Sequence, residues 1–241
     1  MNTNEHPSPE EVALLIKKRL KNFWGYGNLA GRTWLIGMEE GLGKQEPFPL
    51  ERFRSTAGKA VVDIRDNTAE DHQRWFNPKS ATQPTWRILI SLLMYRRMRQ
   101  LPKLADIRTY QSLEFGLKNN DHALLELMPL PASSTNEVDW IYSDVPLKGL
   151  KTRKEYLATY KPVRVEALKA LIEKHQPKLV LFYSRTYLAD WQQIVPKPLA
   201  EVIPGKLHLV KYKGTTYAVT PHPTSRGMKA ADWASIAESI Y

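Results

Sequence analysis

At 241 residues, the chain can bury one large α/β core and needs no division into two domains. Its 42% hydrophobic and 25% charged residues exclude wholesale disorder, and the lack of cysteine excludes disulfides, thiolate zinc sites, cysteine-ligated iron–sulfur clusters and a cysteine nucleophile. Thirty-five Lys and Arg against twenty-five Asp and Glu give a net charge of +10, which either serves solubility or attracts a polyanion.

The opening residues are polar and acidic, without the form of a signal peptide. The longest apolar run, from Ile88 to Tyr95, is too short to cross a bilayer, so a soluble, cytoplasmic protein is expected.

In chain order, a first helix is predicted from about residue 8 to 22, with Ser8 as N-cap and Val12, Leu15, Ile16 and Leu20 along one face. Lys17, Lys18, Arg19 and Lys21 read as its solvated face. The stretch from Phe23 to Leu29 reads as a glycine-rich aromatic loop before a short strand at Trp34–Gly37, followed by an irregular excursion from Gly41 to Lys79. Pro84 to Gln100 has a helical apolar stripe, and Ala123 to Met128 is a strand closed by Pro129 and Pro131. A polar loop then precedes a helix from about Thr152 to His175. Lys178–Tyr183 is a third strand, Tyr187 to Ile194 a short helix, and Leu207–Lys211 with Thr215–Thr220 a hairpin around Lys213-Gly214. A last helix starts near Met228.

Aliphatic strands separated by long helices predict one domain: a three-layer α/β sandwich around a mainly parallel, four-stranded sheet. Sites in such sheets gather at the carboxyl ends of the strands, which here end in Met38-Glu39-Glu40-Gly41, Glu126 to Pro131, Tyr183-Ser184-Arg185 and Pro221 to Arg226. His222 lies between two prolines and cannot join a helix; hydroxyls and an arginine follow at once, a composition suited to phosphate. A carboxylate and an imidazole at one sheet edge can stabilise a cationic transition state, orient water and assist an anionic leaving group.

From Gly37 to the C-terminus the chain resembles the uracil-DNA glycosylase superfamily. Two short motifs carry the resemblance: Gly37-Met38-Glu39-Glu40-Gly41 and His222-Pro223-Thr224-Ser225-Arg226. It implies a monofunctional DNA glycosylase without cofactor or metal, monomeric and associated with DNA, that flips a damaged or modified base and hydrolyses its N-glycosidic bond. Carried over, Glu39 or Glu40 positions water or balances the oxocarbenium charge, and His222 hydrogen-bonds the departing base. Thr224, Ser225, Arg226 and Arg185 meet DNA. Met38, Glu126, Asn28, Phe48 and Tyr26 are candidates to hold the base.

The chain departs from the pattern in having Glu39 for the usual Asp or Asn, Glu40 for proline, and Glu126 where an asparagine is expected. An ionised Glu126 would accept hydrogen bonds and favour an amino-bearing, cytosine-like edge over uracil. Within an apolar strand it either faces a pocket or pairs with a basic group. His6-Pro7-Ser8-Pro9 spells the second motif but has no strand before it, and reads as a helix cap. His72, His122, His175 and His208 have no metal-ligand spacing. Two other readings stand beside the enzyme: a non-catalytic nucleic-acid-binding module, and a metal-dependent nuclease using Glu39, Glu40 and Asp144.

Overall fold

The computed structural model describes residues 7–42, 48–66 and 70–241, so His6 lies outside the described residues. Its helices are α1 (Pro9–Asn22), α2 (Leu50–Thr56), α3 (Pro84–Met98), α4 (Leu104–Leu113), α5 (Arg153–His175), α6 (Leu188–Ile194) and α7 (Ala230–Ile240). The strands are β1 (Gly25–Gly27), β2 (Thr33–Gly41), β3 (Val61–Val62), β4 (His122–Ala132), β5 (Leu179–Tyr183), β6 (Ala200–Ile203), β7 (Leu207–Tyr212) and β8 (Thr215–Thr220). They form one mixed sheet in the order β3-β1-β4-β2-β5-β8-β7-β6. The expected sheet of four is corrected to eight strands among the described residues: β4, β2, β5 and β8 run parallel side by side, and on each flank of that block the adjoining strand, β1 or β7, pairs antiparallel with it.

Alternation along the strands supplies two buried apolar layers. Trp34, Ile36, Leu125, Leu127, Val180 and Phe182 pack with α1, α5 and α6 on one face. Leu35, Leu124, Leu179 and Leu181 pack with α3, α4 and α7 on the other. The chain is therefore an α/β protein with helices on both faces of its sheet. No helix among the described residues is long and apolar enough to cross a membrane.

Ser8 caps α1 as expected, its Oγ accepting from the Glu11 amide at 3.1 Å. Arg19, expected on the solvated face, is instead fully buried: its guanidinium donates to Pro129 O at 2.8 Å and Thr56 Oγ1 at 2.8 Å. It therefore serves the outer edge of β4. That edge pairs with β1 as far as Leu125, the Glu126 amide meets the Trp24 carbonyl at 2.8 Å, and beyond it side chains replace a neighbouring strand. Arg164 donates to the Leu127 and Glu126 carbonyls at 2.8 and 3.1 Å, and Tyr142 donates to Pro131 O at 2.8 Å. An edge without a strand partner tolerates prolines, so β4 continues through Pro129 and Pro131 rather than stopping at them.

The excursion after β2 and the segment before β4 hold α2, β3 and α4, none of them expected individually. The hairpin at Lys213-Gly214 is as expected, with φ of 46° and 81° at its two central residues.

Candidate active site

The parallel strands carry their carboxyl ends to one rim, and the first element there is a hole. Gly37 of β2 sits in register with Glu126 of β4, while on the other side Phe182 of β5 pairs one residue earlier, with Ile36. A Cβ on Gly37 would lie 2.3 Å from Glu126 Oε2 and 2.5 Å from the Tyr183 hydroxyl. The missing side chain thus lets two residues meet across the strand between them: Tyr183 donates to Glu126 Oε1 at 3.0 Å. Glu126 is 6% exposed, and its Oε2 is buried with no hydrogen-bond partner among the described residues. Burial pushes its pKa well above the usual carboxylate range, although the tyrosine bond opposes this. Burial thus favours the protonated form of Glu126, and of its two expected settings the pairing with a basic group is not the one found.

His222 follows β8 in the turn Pro221–Ser225, closed by the Ser225 amide on His222 O at 2.8 Å. The Thr224 amide reaches its Nδ1 at 3.3 Å and the Thr224 Oγ1 lies 2.8 Å from the same atom. An Nδ1 that accepts a backbone N–H carries no proton, so the neutral ring holds its proton on Nε2. Partial burial lowers the His222 pKa and keeps that neutral form. The ring lies against Tyr183, centroids 6.1 Å apart, linking the end of β8 to the Glu126 cluster through β5.

Glu39 and Glu40 prove to be inside β2, not past it, and have different company. Glu40 forms ion pairs with Arg19 and Arg52 at 3.0 Å each and accepts the Tyr26 hydroxyl, so both of its oxygens are occupied by groups that hold α1, α2 and β1 together. Of the two carboxylates expected to act, Glu40 is thus the one engaged on both oxygens by the framework of the fold. Glu39 pairs with Arg153 at the start of α5, through Nη2 and Oε1. Its side chain is 10% exposed, and Oε2 is buried without a partner among the described residues. Burial raises the Glu39 pKa, and the Arg153 charge and hydrogen bond pull it back.

The expected base-holding residues mostly fall elsewhere. Met38 alternates to the opposite face from Gly37 and is buried in the α1–α5 layer. Tyr26 is 2% exposed, with its hydroxyl spent on Glu40, so it offers no stacking face. Phe48 stands edge-on to Phe53 and Tyr142, at 5.7 Å from each. Asn28 lies at the amino end of the sheet: its amide meets His122 O at 2.9 Å and its side chain bonds Asn120 O and the Ala30 amide. It is a turn residue, held there by the pairing that starts β4. Of that group, only Glu126 sits in the constellation.

Thr224 and Arg226 are exposed beside His222, Ser225 is half-buried, and Arg185 is exposed after β5, close to the turn at Gly205. Thr224 also orients the imidazole.

Sequence reasoning missed Arg153 and the loop between β4 and α5, and named Tyr183 only as a strand end without a role. In that loop Glu137 accepts from the Arg153 and Lys154 amides at 2.5 and 3.3 Å, capping α5 together with Thr152. Trp140 Nε1 donates to Leu150 O at 2.7 Å, and Tyr142 ties the loop to β4. On this braced loop Val138 is 89% exposed and Ile141 39% exposed.

Among the described residues, no group of three acidic or histidine side chains could hold a metal ion. Glu39 and Glu40 each face arginine, a setting that repels a divalent cation. No protein-family model and no curated protein matches this chain.

Proposed function

We propose that this protein is a DNA glycosylase that flips a damaged or modified base and hydrolyses its bond to C1′. The reading rests on one juxtaposition above all. A buried carboxylate with an open oxygen lies near the end of β2, and a histidine fixed as its Nε2–H tautomer follows β8, with β5 between them. Two strand spacings put the backbones of β2 and β8 about 9–10 Å apart, the scale of a nucleoside. Glu39 takes up the proton of the attacking water and offsets the cationic sugar; the His222 Nε2–H stabilises negative charge on the departing base. A neutral histidine suits that hydrogen bond, because it costs no desolvation of a cation.

Glu126 and Tyr183 would border the base. Burial favours the protonated form of Glu126, which can donate as well as accept through Oε2, so the bias towards an amino-bearing edge expected of an ionised group is weakened. The substrate class is therefore a modified base, with cytosine-derived bases included rather than preferred. Val138 supports the flipping step: an apolar side chain on a braced loop tied to the start of α5 has the form of a wedge between base steps.

The test is incubation with duplexes carrying single modified bases, in EDTA, followed by alkali. Strand breaks that appear only after alkali report abasic sites; breaks that require magnesium report a nuclease, and binding without either reports a non-catalytic module. Glu39→Gln and His222→Ala are each expected to slow excision by about 10²- to 10⁴-fold while leaving thermal unfolding cooperative. Unchanged rates in both would remove the assignment of these residues.

A further inference from the structure

The Arg153–Glu39 pair is incomplete in a specific way. A carboxylate normally takes arginine by two parallel bonds, using an edge of the planar guanidinium. Nη2–H and Nε–H share one such edge. Here Nη2 engages Glu39 Oε1, while Arg153 Nε is buried and has no hydrogen-bond partner among the described residues. Glu39 Oε2 is buried and partnerless as well. One arm of the fork is closed and the other is open, with an unused donor and an unused acceptor in the same buried pair. Both side chains are nine-tenths enclosed, at 8% and 10% exposure. Buried polar groups left in this state are ordinarily bridged by water.

We propose that the open arm of this pair seats the attacking water, with Arg153 Nε–H holding its oxygen side and Glu39 Oε2 receiving its proton. The proposal rests on the glycosylase reading and adds to it a water-orienting residue and the position of the nucleophile. The water donates one hydrogen to Oε2 and accepts from Nε–H, which leaves a lone pair for C1′. The C1′–N bond breaks with its electron pair leaving on the base, against His222. The oxygen–C1′ bond then forms as the water proton passes to Glu39, and the base finally takes up that proton or one from solvent. Water plus nucleotide yields the abasic sugar and the free base, with no oxidant, metal or co-reactant. A second consequence is electrostatic: the guanidinium keeps Glu39 able to accept a proton although it is largely enclosed.

Two variants separate these duties. Arg153→Lys keeps the charge but has no second donor on the same rigid edge; Arg153→Gln removes the charge. The measurement is single-turnover excision against pH, on whichever base the alkali assay identifies, with thermal unfolding recorded for each variant. For Arg153→Lys, the plateau rate should fall about 10²-fold with the acid limb unmoved. For Arg153→Gln, the acid limb should also move to higher pH by about one unit or more, and carbon-13 titration of Glu39 should show the same displacement without reference to activity. A folded Arg153→Lys with the wild-type plateau overturns the water seat, even if the Gln variant shifts the limb, because a counter-charge alone then suffices. Should the Lys variant not fold, a high-resolution crystal structure of the wild-type protein decides: ordered water between Nε and Oε2 supports the seat, and an ordered pair closed into a two-bond fork overturns it. If the wild-type protein excises no base at all, the glycosylase reading fails first, an outcome distinct from active wild type with indifferent variants.

Discussion

Glu126 shows how one missing side chain sets the chemistry of its neighbours. In β2, any residue larger than glycine at position 37 would occupy the space where Glu126 Oε2 and the Tyr183 hydroxyl lie. The carboxyl group is consequently deep in the sheet, hydrogen-bonded to a phenol rather than to a cation. The sign of its contribution to stability follows. Its folded pKa is raised from 4.5, so below that value both states are protonated and the group costs nothing. As pH rises above 4.5, the unfolded chain ionises while the folded one stays neutral, and stability is lost until the folded group also ionises. Each unit of displacement amounts to about 1.4 kcal/mol. Glu126→Gln, which cannot ionise and keeps nearly the same shape, should match wild type near pH 4 and exceed it by at least about 1 kcal/mol near pH 8. Denaturant unfolding of both proteins across that range checks this. A difference independent of pH would mean that Glu126 is ionised in the fold.

At the scale of elements, the loop between β4 and α5 is the least ordinary part of the rim. Glu137 spends its carboxylate on the first amides of α5, so the turn bearing Val138 is anchored to the helix that begins with Arg153. A single exposed valine is common on protein surfaces and needs no purpose. A wedge and an idle valine predict different results. Val138→Asp should slow excision from a fully paired duplex by about tenfold or more, since unstacking loses its apolar support, and should leave excision from single-stranded DNA unchanged. Equal rates on both substrates would return Val138 to an ordinary surface role.

Elements were legible in the sequence where burial imposes a period. The strands β2, β4 and β5 hold aliphatic runs, β8 is rich in β-branched and aromatic residues, and α1, α3 and α7 carry regular apolar stripes. Short strands were not legible, for a physical reason. Gly25 and Gly27 of β1, with φ of 144° and 87°, let the chain press so close to β4 that a Cβ on Gly25 would lie 2.2 Å from Leu124 O. Such a strand is specified by absent side chains and reads as a loop. The site divides in the same way. Glu39 and His222 could be singled out as candidates because strand ends are marked by local pattern. Arg153 could not, because its partner is 114 residues away and a basic residue opening a helix looks solvated. Arg19 was misplaced on the same ground, its basic neighbours in α1 hiding a guanidinium that belongs to the interior.

For the molecule as a whole, net charge alone does not point to DNA, because exposed cations occur at both ends of the sheet. Lys148, Lys151, Lys154, Arg185, Arg226 and Lys229 are exposed on segments that follow the parallel strands, at the rim that holds Glu39 and His222. Arg32, Lys118 and Lys178 are exposed at the opposite rim, where those strands begin. A DNA backbone laid across the candidate site would meet the first group and not the second. Each phosphate neutralised by a bound cation changes the slope of log affinity against log salt by about 0.9 on duplex DNA. Replacing Lys151, Lys154 and Arg226 by Gln should therefore weaken binding and flatten that slope by about one for each phosphate left without its cation. Replacing Arg32, Lys118 and Lys178 in the same way removes the same net charge, so it controls for long-range attraction and should change the slope little. Fluorescence anisotropy with a labelled duplex at several salt concentrations measures both. Equal flattening by the two sets would show that the positive charge acts without a face, and would take away the reason for laying DNA across the carboxyl ends of the strands. A difference confined to the first set would place the duplex on the rim that holds His222 and Glu39.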